Sequence, residues 1–284
     1  MKKTLIMILA LALTALCAAA LAEDLPWEGG ILITDQVQDV DLDGDGSVES
    51  VGYAMVPDDF EPDMQLQVTG ADGATVTWDT GVISSEKAWA GDLDGDGVME
   101  IFVWGDVMSD DYYTACVSYK GGRLVPKLFA DVNRGENGHG YFKEGYGLLD
   151  NVDFDAHTVT LTGSQDMLGT YFMSRTLKLD DALFEAVDGG VWVRAVNDAS
   201  WDGYSVLTAK AAIRYLDPDG VEGTLQPGDK IQITGTDKMS MATFLAEDGR
   251  IGTLRISEDY ERGWGSLVDD IPEDDAFEFI PYAD

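Results

Sequence analysis

Polar and apolar positions alternate with period two in several short stretches of the chain. Ala74, Val76 and Trp78 alternate with Thr75 and Thr77; Val159 and Leu161 alternate with Thr158, Thr160 and Thr162; Leu177 and Leu179 alternate with Thr176 and Lys178. This is the signature of strands with one buried face. The stretches Val51 to Val56, Ile101 to Trp104 and Ala115 to Tyr119 also read as strands, and turn residues punctuate them. The expected fold class is therefore all-β. One segment departs from the pattern. Lys2 and Lys3 precede an apolar run from Leu5 to Leu16, and Ala20-Leu21-Ala22 stands just before Glu23. A run of roughly a dozen residues is too short to span a bilayer, so residues 1–22 are expected to be a secretory signal. Acylation at Cys17 is the competing reading, but Leu16 stands where a lipoprotein leader wants a small residue.

Charge narrows the function. The chain has 53 acidic residues against 18 basic ones. Loss of Lys2 and Lys3 with the leader leaves 16 basic residues, an excess of 37 negative charges. Phosphate recognition needs lysine and arginine, so no nucleic-acid partner is expected, and an anionic membrane surface would repel the chain. Hydrophobic residues make up 45% of the sequence, enough for a packed core. After export, Cys116 is the one cysteine, which excludes an internal disulfide and fits a small buried apolar side chain. His139 and His157, the two histidines, sit in no nucleophile or zinc pattern.

Two nine-residue segments repeat at an offset of 51. They are Asp41-Leu42-Asp43-Gly44-Asp45-Gly46-Ser47-Val48-Glu49 and Asp92-Leu93-Asp94-Gly95-Asp96-Gly97-Val98-Met99-Glu100. The offset persists beyond the loops, where Val51 matches Phe102 and Tyr53 matches Trp104. A period near fifty suggests stacked β units. Calcium takes six to eight oxygen ligands at about 2.3–2.6 Å. Carboxylates at positions 1, 3 and 5 of a tight turn can converge on one point. Gly46 and Gly97 at position 6 permit the positive φ that such a turn needs. Ser47 or Val98 can offer a backbone carbonyl at position 7, and Glu49 or Glu100 can close the shell from position 9. An EF-hand would close at position 12, which is Gly52 here in the first copy and Val103 in the second. Asp-Gly-Asp-Gly is also ordinary turn chemistry, but two copies with acid at all four places favour calcium. Magnesium prefers fewer protein carboxylates.

Residues 38–56 and 88–106 resemble the FG-GAP/VCBS family of extracellular β repeats, as in integrin-α-type propellers. The resemblance rests on Asp-x-Asp-x-Asp-Gly-x-x-Glu followed by a strand. It implies two calcium sites, with ligands Asp41, Asp43, Asp45 and Glu49, and Asp92, Asp94, Asp96 and Glu100. A closed propeller needs four or more blades, and two good copies are present. The expectation is therefore a partial propeller-like or sandwich-like array over residues 23–195. Asp153-Phe154-Asp155-Ala156-His157 lacks the glycine and one acid, so it reads as a hairpin turn. Gly135 to Tyr141 reads as a glycine-rich surface loop.

A boundary is expected near residues 190–205. Beyond it, Ala211-Ala212-Ile213-Arg214, Gly228-Asp229-Lys230-Ile231 and Asp248-Gly249-Arg250-Ile251-Gly252 resemble bacterial Src-homology-3-like barrels. That resemblance implies a smaller β-barrel over 196–284, of a kind that often binds cell-wall peptide or protein. Met239 to Phe244 occupies the place where such barrels often carry a tryptophan, so a purely structural barrel remains open. The acidic tail, with Trp264, Phe277, Phe279 and Tyr282 interleaved, is expected to pack back onto the barrel.

Three functions follow as expectations. The first is a secreted calcium-binding β-repeat protein that serves as a binding or scaffold module for an extracellular protein or a cell-wall glycan or peptide. The second is a secreted carboxylate-dependent hydrolase of glycosidase type. The third is a structural module of the cell envelope. No Gly-x-Ser-x-Gly elbow, His-Glu-x-x-His or phosphate loop occurs, so no enzyme is expected. Burial of Trp89, Trp104, Trp192, Trp201 and Trp264 would weaken the case for specific recognition.

Overall fold

A computed structural model describes residues 27, 29–57, 63–80, 88–108, 111–131, 140–187, 189–194, 201, 203–258 and 265–282. The expected leader at 1–22 with Cys17, most of the glycine-rich stretch including His139, and Trp264 lie outside the described residues. The described chain is almost entirely β, with antiparallel pairing throughout except for one parallel pair.

The N-terminal part is built from successive antiparallel meanders. After β1 (Ile31–Ile33), the first meander comprises β2 (Gln38–Val40), β3 (Glu49–Val56), β4 (Asp63–Thr69) and β5 (Thr75–Asp79), paired in chain order. The second comprises β6 (Ala88–Gly91), β7 (Glu100–Met108), β8 (Asp111–Lys120) and β9 (Arg123–Pro126). Strand β1 flanks β6 in this sheet. Three short strands follow, β10 (Leu128–Asp131), β11 (Gly140–Phe142) and β12 (Glu144–Tyr146), and β12 pairs with Tyr113–Ala115 of β8, along the edge that β9 leaves uncovered there. The third meander is β13 (Leu148–Asp153), β14 (Thr158–Asp166), β15 (Thr170–Asp180) and β16 (Leu183–Ala186). Parallel pairing of β10 with β16 widens it.

Side-chain pattern explains the stacking. In β14 and β15, Val159, Leu161, Leu177 and Leu179 point inward, while Thr162 and Ser174 share a 2.7 Å hydroxyl hydrogen bond on the outer face. Strand β7 is apolar without alternation because both of its faces are covered. Ile101 and Val103 pack with Val51, Leu66 and Val68 of the first meander. Phe102 packs on the opposite side with Phe129, Leu161 and Phe184. The second meander is thus the middle layer of three, and a continuous apolar run is what a doubly buried strand requires. Cys116 lies in that second core, fully buried and unpaired with any other cysteine, as expected. The turn at 154–157 joins β13 to β14, where Ala156 N–H donates to Asp153 Oδ1 at 2.9 Å. That matches the hairpin reading of this segment.

The C-terminal part continues the same sheet. Its strands are β17 (Trp192–Val193), β18 (Leu207–Thr208), β19 (Ile213–Leu216), β20 (Glu222–Leu225), β21 (Lys230–Thr236), β22 (Met241–Ala246), β23 (Ile251–Glu258), β24 (Ser266–Val268) and β25 (Ile271–Pro272). The one described helix, α1 (Glu273–Ala276), follows. Strand β17 bridges β15 to β21, and the path runs on through β22, β23 and β19 to β20. None of the described sheets closes on itself, so the expected barrel is an open sheet here; β20 has a strand on one side only among the described residues. The core beneath it includes Met167, Leu168, Tyr171 and Met173 from the third meander beside Trp192, Ile231, Phe244 and Phe277. The tail does pack back through Phe277, while Phe279 stays 55% exposed. Among the described residues no helix is long and apolar enough to cross a membrane.

Candidate metal centre

The repeated segments occupy the same place in successive meanders. The Asp41–Glu49 loop joins β2 to β3, and the Asp92–Glu100 loop joins β6 to β7. Leu42 and Leu93, at position 2, are buried and anchor each loop in the core. Gly46 and Gly97 both adopt φ +88°, as their place in the turn demands.

Each loop folds around its own aspartates. Gly46 N–H donates to Asp41 Oδ2 and Gly97 N–H to Asp92 Oδ2, both at 3.1 Å. Ser47 N–H donates to Asp45 Oδ1 at 2.7 Å, and Val98 N–H to Asp96 Oδ1 at 2.8 Å. These bonds fix the aspartate carboxylates against the turn's own backbone. Asp41, Asp43 and Asp45 each place a carboxylate oxygen within 4.8 Å of the other two, and so do Asp92, Asp94 and Asp96. Asp41 Oδ1 and Asp43 Oδ1 are shut off from solvent and have no hydrogen-bond partner. A solvent-excluded oxygen with no donor is costly, and a cation at the centre of the first loop would satisfy both. The donor set, three hard carboxylate oxygens on a turn, suits a hard divalent ion.

The position-9 glutamates, expected as ligands, are not members of these converged triplets, which the aspartates alone form. Leu42 N–H donates to Glu49 Oε2 at 2.8 Å, and Leu93 N–H donates to Glu100 Oε2 at 3.0 Å. Each glutamate thereby braces its loop across the turn. Burial pushes the Glu49 carboxyl above the usual glutamate range, and the nearby Asp43, Asp45 and Asp41 charges push the same way. Burial also raises Glu100, against the opposing pull of Lys127.

Lys127 was not singled out by its sequence. It lies just after β9, between two strands, and its ammonium reaches Glu100 Oε1 at 3.1 Å and the Asp181 carbonyl at 2.7 Å. Ser118 Oγ–H donates to the same Glu100 oxygen at 3.0 Å. The charge and hydrogen bond of Glu100 outweigh burial, so Lys127 holds its proton above the ordinary lysine value. The available signal was a lone lysine inside the apolar stretch Leu124 to Phe129.

The two loops touch. Met99 N–H donates to the Leu42 carbonyl at 2.8 Å. A Cβ placed on Gly44 would lie 2.4 Å from the Gly97 carbonyl oxygen, so only glycine fits there without displacing the second loop.

A separate groove of about 360 Å³ lies on the outer face of the C-terminal sheet, lined by Arg214, Leu216, Met241, Thr253 and Arg255 among others. Arg214 is clamped by Asp269 through two bonds of 2.9 and 2.8 Å. Of the expected recognition tryptophans, Trp89 and Trp192 are buried, whereas Trp104 and Trp201 are partly exposed.

Comparison of the chain with protein-family models, with curated proteins and with solved structures finds no match.

Proposed function

We propose that this chain is a secreted calcium-binding β-repeat protein, in which two ions brace adjoining sheets and the scaffold presents surfaces to an extracellular protein or cell-wall glycan partner. The carrying observation is the pair of converged aspartate triplets, with Asp41 Oδ1 and Asp43 Oδ1 buried and partnerless. The placement of both loops between first and second strands of successive four-stranded meanders supports the likeness to FG-GAP/VCBS repeats and a propeller-like stacking. Asp41, Asp43, Asp45 and Glu49, with the Ser47 carbonyl, would hold one ion. Asp92, Asp94, Asp96 and Glu100, with the Val98 carbonyl, would hold the other.

The ion's role in this reading is structural. Three aspartates gathered on one turn repel one another when empty, and a divalent cation turns that repulsion into a clamp. The C-terminal groove, with apolar floor and charged rim, is the favoured place for a peptide-like partner, in keeping with the Src-homology-3-like resemblance. The direct test is scanning calorimetry on metal-free protein with and without millimolar calcium; an unmoved melting temperature would refute the calcium role. Capture from whole cells and wall extract, with and without chelator, tests the partner.

A further inference from the structure

We propose that the two loops bind unequally, the Asp41–Glu49 loop filling first, and that Lys127 is the residue that weakens the second. This rests on the calcium reading above. The geometry carries the difference. Around the first loop, no ion pair among the described residues reaches Asp41, Asp43, Asp45 or Glu49. Around the second, the Lys127 ammonium stands 3.1 Å from Glu100 Oε1.

Three features make that charge effective. Lys127 is 9% exposed, so little water screens it. It is fixed from two sides, by Glu100 of the second meander and by the Asp181 carbonyl at the turn between β15 and β16. Its charge also reaches the triplet itself, since Asp94 acts on it electrostatically. A cation entering the second loop therefore meets a resident positive charge, and Glu100 must be shared between ion and ammonium. A cation entering the first loop meets carboxylates alone. Lys127 is thus a positioning residue that sets affinity without touching the ion.

The test is a calorimetric calcium titration of the metal-free protein at fixed ionic strength, on the parent chain and on Lys127→Met, Asp43→Asn and Asp94→Asn. The parent chain should show two steps, with dissociation constants at least about tenfold apart. D43N should remove the tighter step and D94N the weaker one. K127M should tighten the weaker step about tenfold and leave the tighter one in place. Lys127→Gln, which keeps a polar contact to Glu100 without the charge, serves in its stead should the Met variant not fold. Two equal sites in the parent chain, loss of the tighter step in D94N, or an unchanged gap in K127M and K127Q would overturn the ordering while calcium binding stands. Absence of any binding would overturn both.

Discussion

Glu49 and Glu100 stand at matching places in two loops that share their acidic letters, and each accepts an N–H from the leucine at position 2. Their surroundings differ. Glu100 is met by Lys127 and Ser118. Glu49 has the Leu42 N–H as its hydrogen-bond partner and three aspartates as charged neighbours. At the 51-residue offset, Val76 stands where Lys127 stands, half-buried against the first core. The lesson concerns layers. The second meander is covered on both faces, so its loop carboxylate sits deep in protein, where an uncompensated charge is expensive. Glu49 is also buried, at 3% exposure, but no cation among the described residues faces it, and burial and the three aspartates hold its carboxyl above the usual glutamate range. Repetition of a motif has preserved the turn, and the layer it landed in has set its electrostatics.

The largest effect should come from breaking the one ion pair among the described residues with both partners buried. In calcium-free protein, Lys127→Met leaves Glu100 buried without its partner, a class of change that costs about 3–5 kcal/mol. The low end is expected, because Glu100 can take up a proton instead. Glu49→Gln removes no pair and should change stability by less than about 1 kcal/mol. Urea denaturation of both variants in chelator measures the contrast, and equal losses would erase the distinction drawn between the loops.

Next in size is the ion. With dissociation constants about tenfold apart and centred near 0.1 mM, and calcium near 1 mM, the tighter loop adds about 2 kcal/mol and the weaker about 1 kcal/mol, about 3 kcal/mol together. For a chain of this size that is a rise of roughly 6–10 °C in melting temperature. Asp43→Asn should remove more of that rise than Asp94→Asn, since the tighter site contributes more.

Much of this was legible before any coordinates. Period-two alternation marked β5, β14 and β15, and the spacing of acids and glycines marked both loops and their turn geometry. Strand β7 was legible as a strand, but its lack of alternation did not reveal which layers covered it, because both faces of a middle sheet look alike in sequence. Lys127 was not legible at all. Its partner lies 27 positions away in the chain, and only the pairing of β7 with β8, and of β8 with β9, brings them together. The barrel expectation was too specific for a related reason. Glycine-rich turns mark hairpins, but closure depends on strand tilt and on the last strand finding the first, and β17 instead pairs back to β15.

A smaller effect separates Gly44 from Gly95, which share position 4 of their loops. Both have positive φ, +68° and +77°, so alanine at either should cost about 1–2 kcal/mol of backbone strain. An alanine Cβ at position 95 meets nothing within 4 Å, whereas at 44 it collides with the Gly97 carbonyl. Gly44→Ala should therefore destabilise more than Gly95→Ala and should weaken calcium binding at both loops. Gly95→Ala should weaken it at its own loop alone. Thermal melts with paired calcium titrations would show this, and identical behaviour of the two variants would mean that the loops do not communicate.

The smallest effect is a change of sign with pH. Burial holds the Glu49 and Glu100 carboxyls above the ordinary glutamate value. The folded chain then binds these protons more tightly than the unfolded chain, so without calcium its stability should rise as pH falls from neutral toward that ordinary value. Asp229, Asp237 and Asp269 are shifted the other way by their hydrogen bonds and by arginine neighbours. Their contribution is fully present above the ordinary aspartate value and is lost only at more acid pH, so it does not mask the rise. With calcium bound, protons compete with the ion for the same oxygens, and acidification over the same range should lower stability. Melting temperatures at pH 7 and pH 5, on metal-depleted and calcium-loaded protein, should therefore move in opposite directions. The Lys127→Met variant should show the steeper metal-free response, because Glu100 then loses the cation that favours its charged form. Parallel movement of the two curves would show that the glutamates do not share their oxygens with the ion.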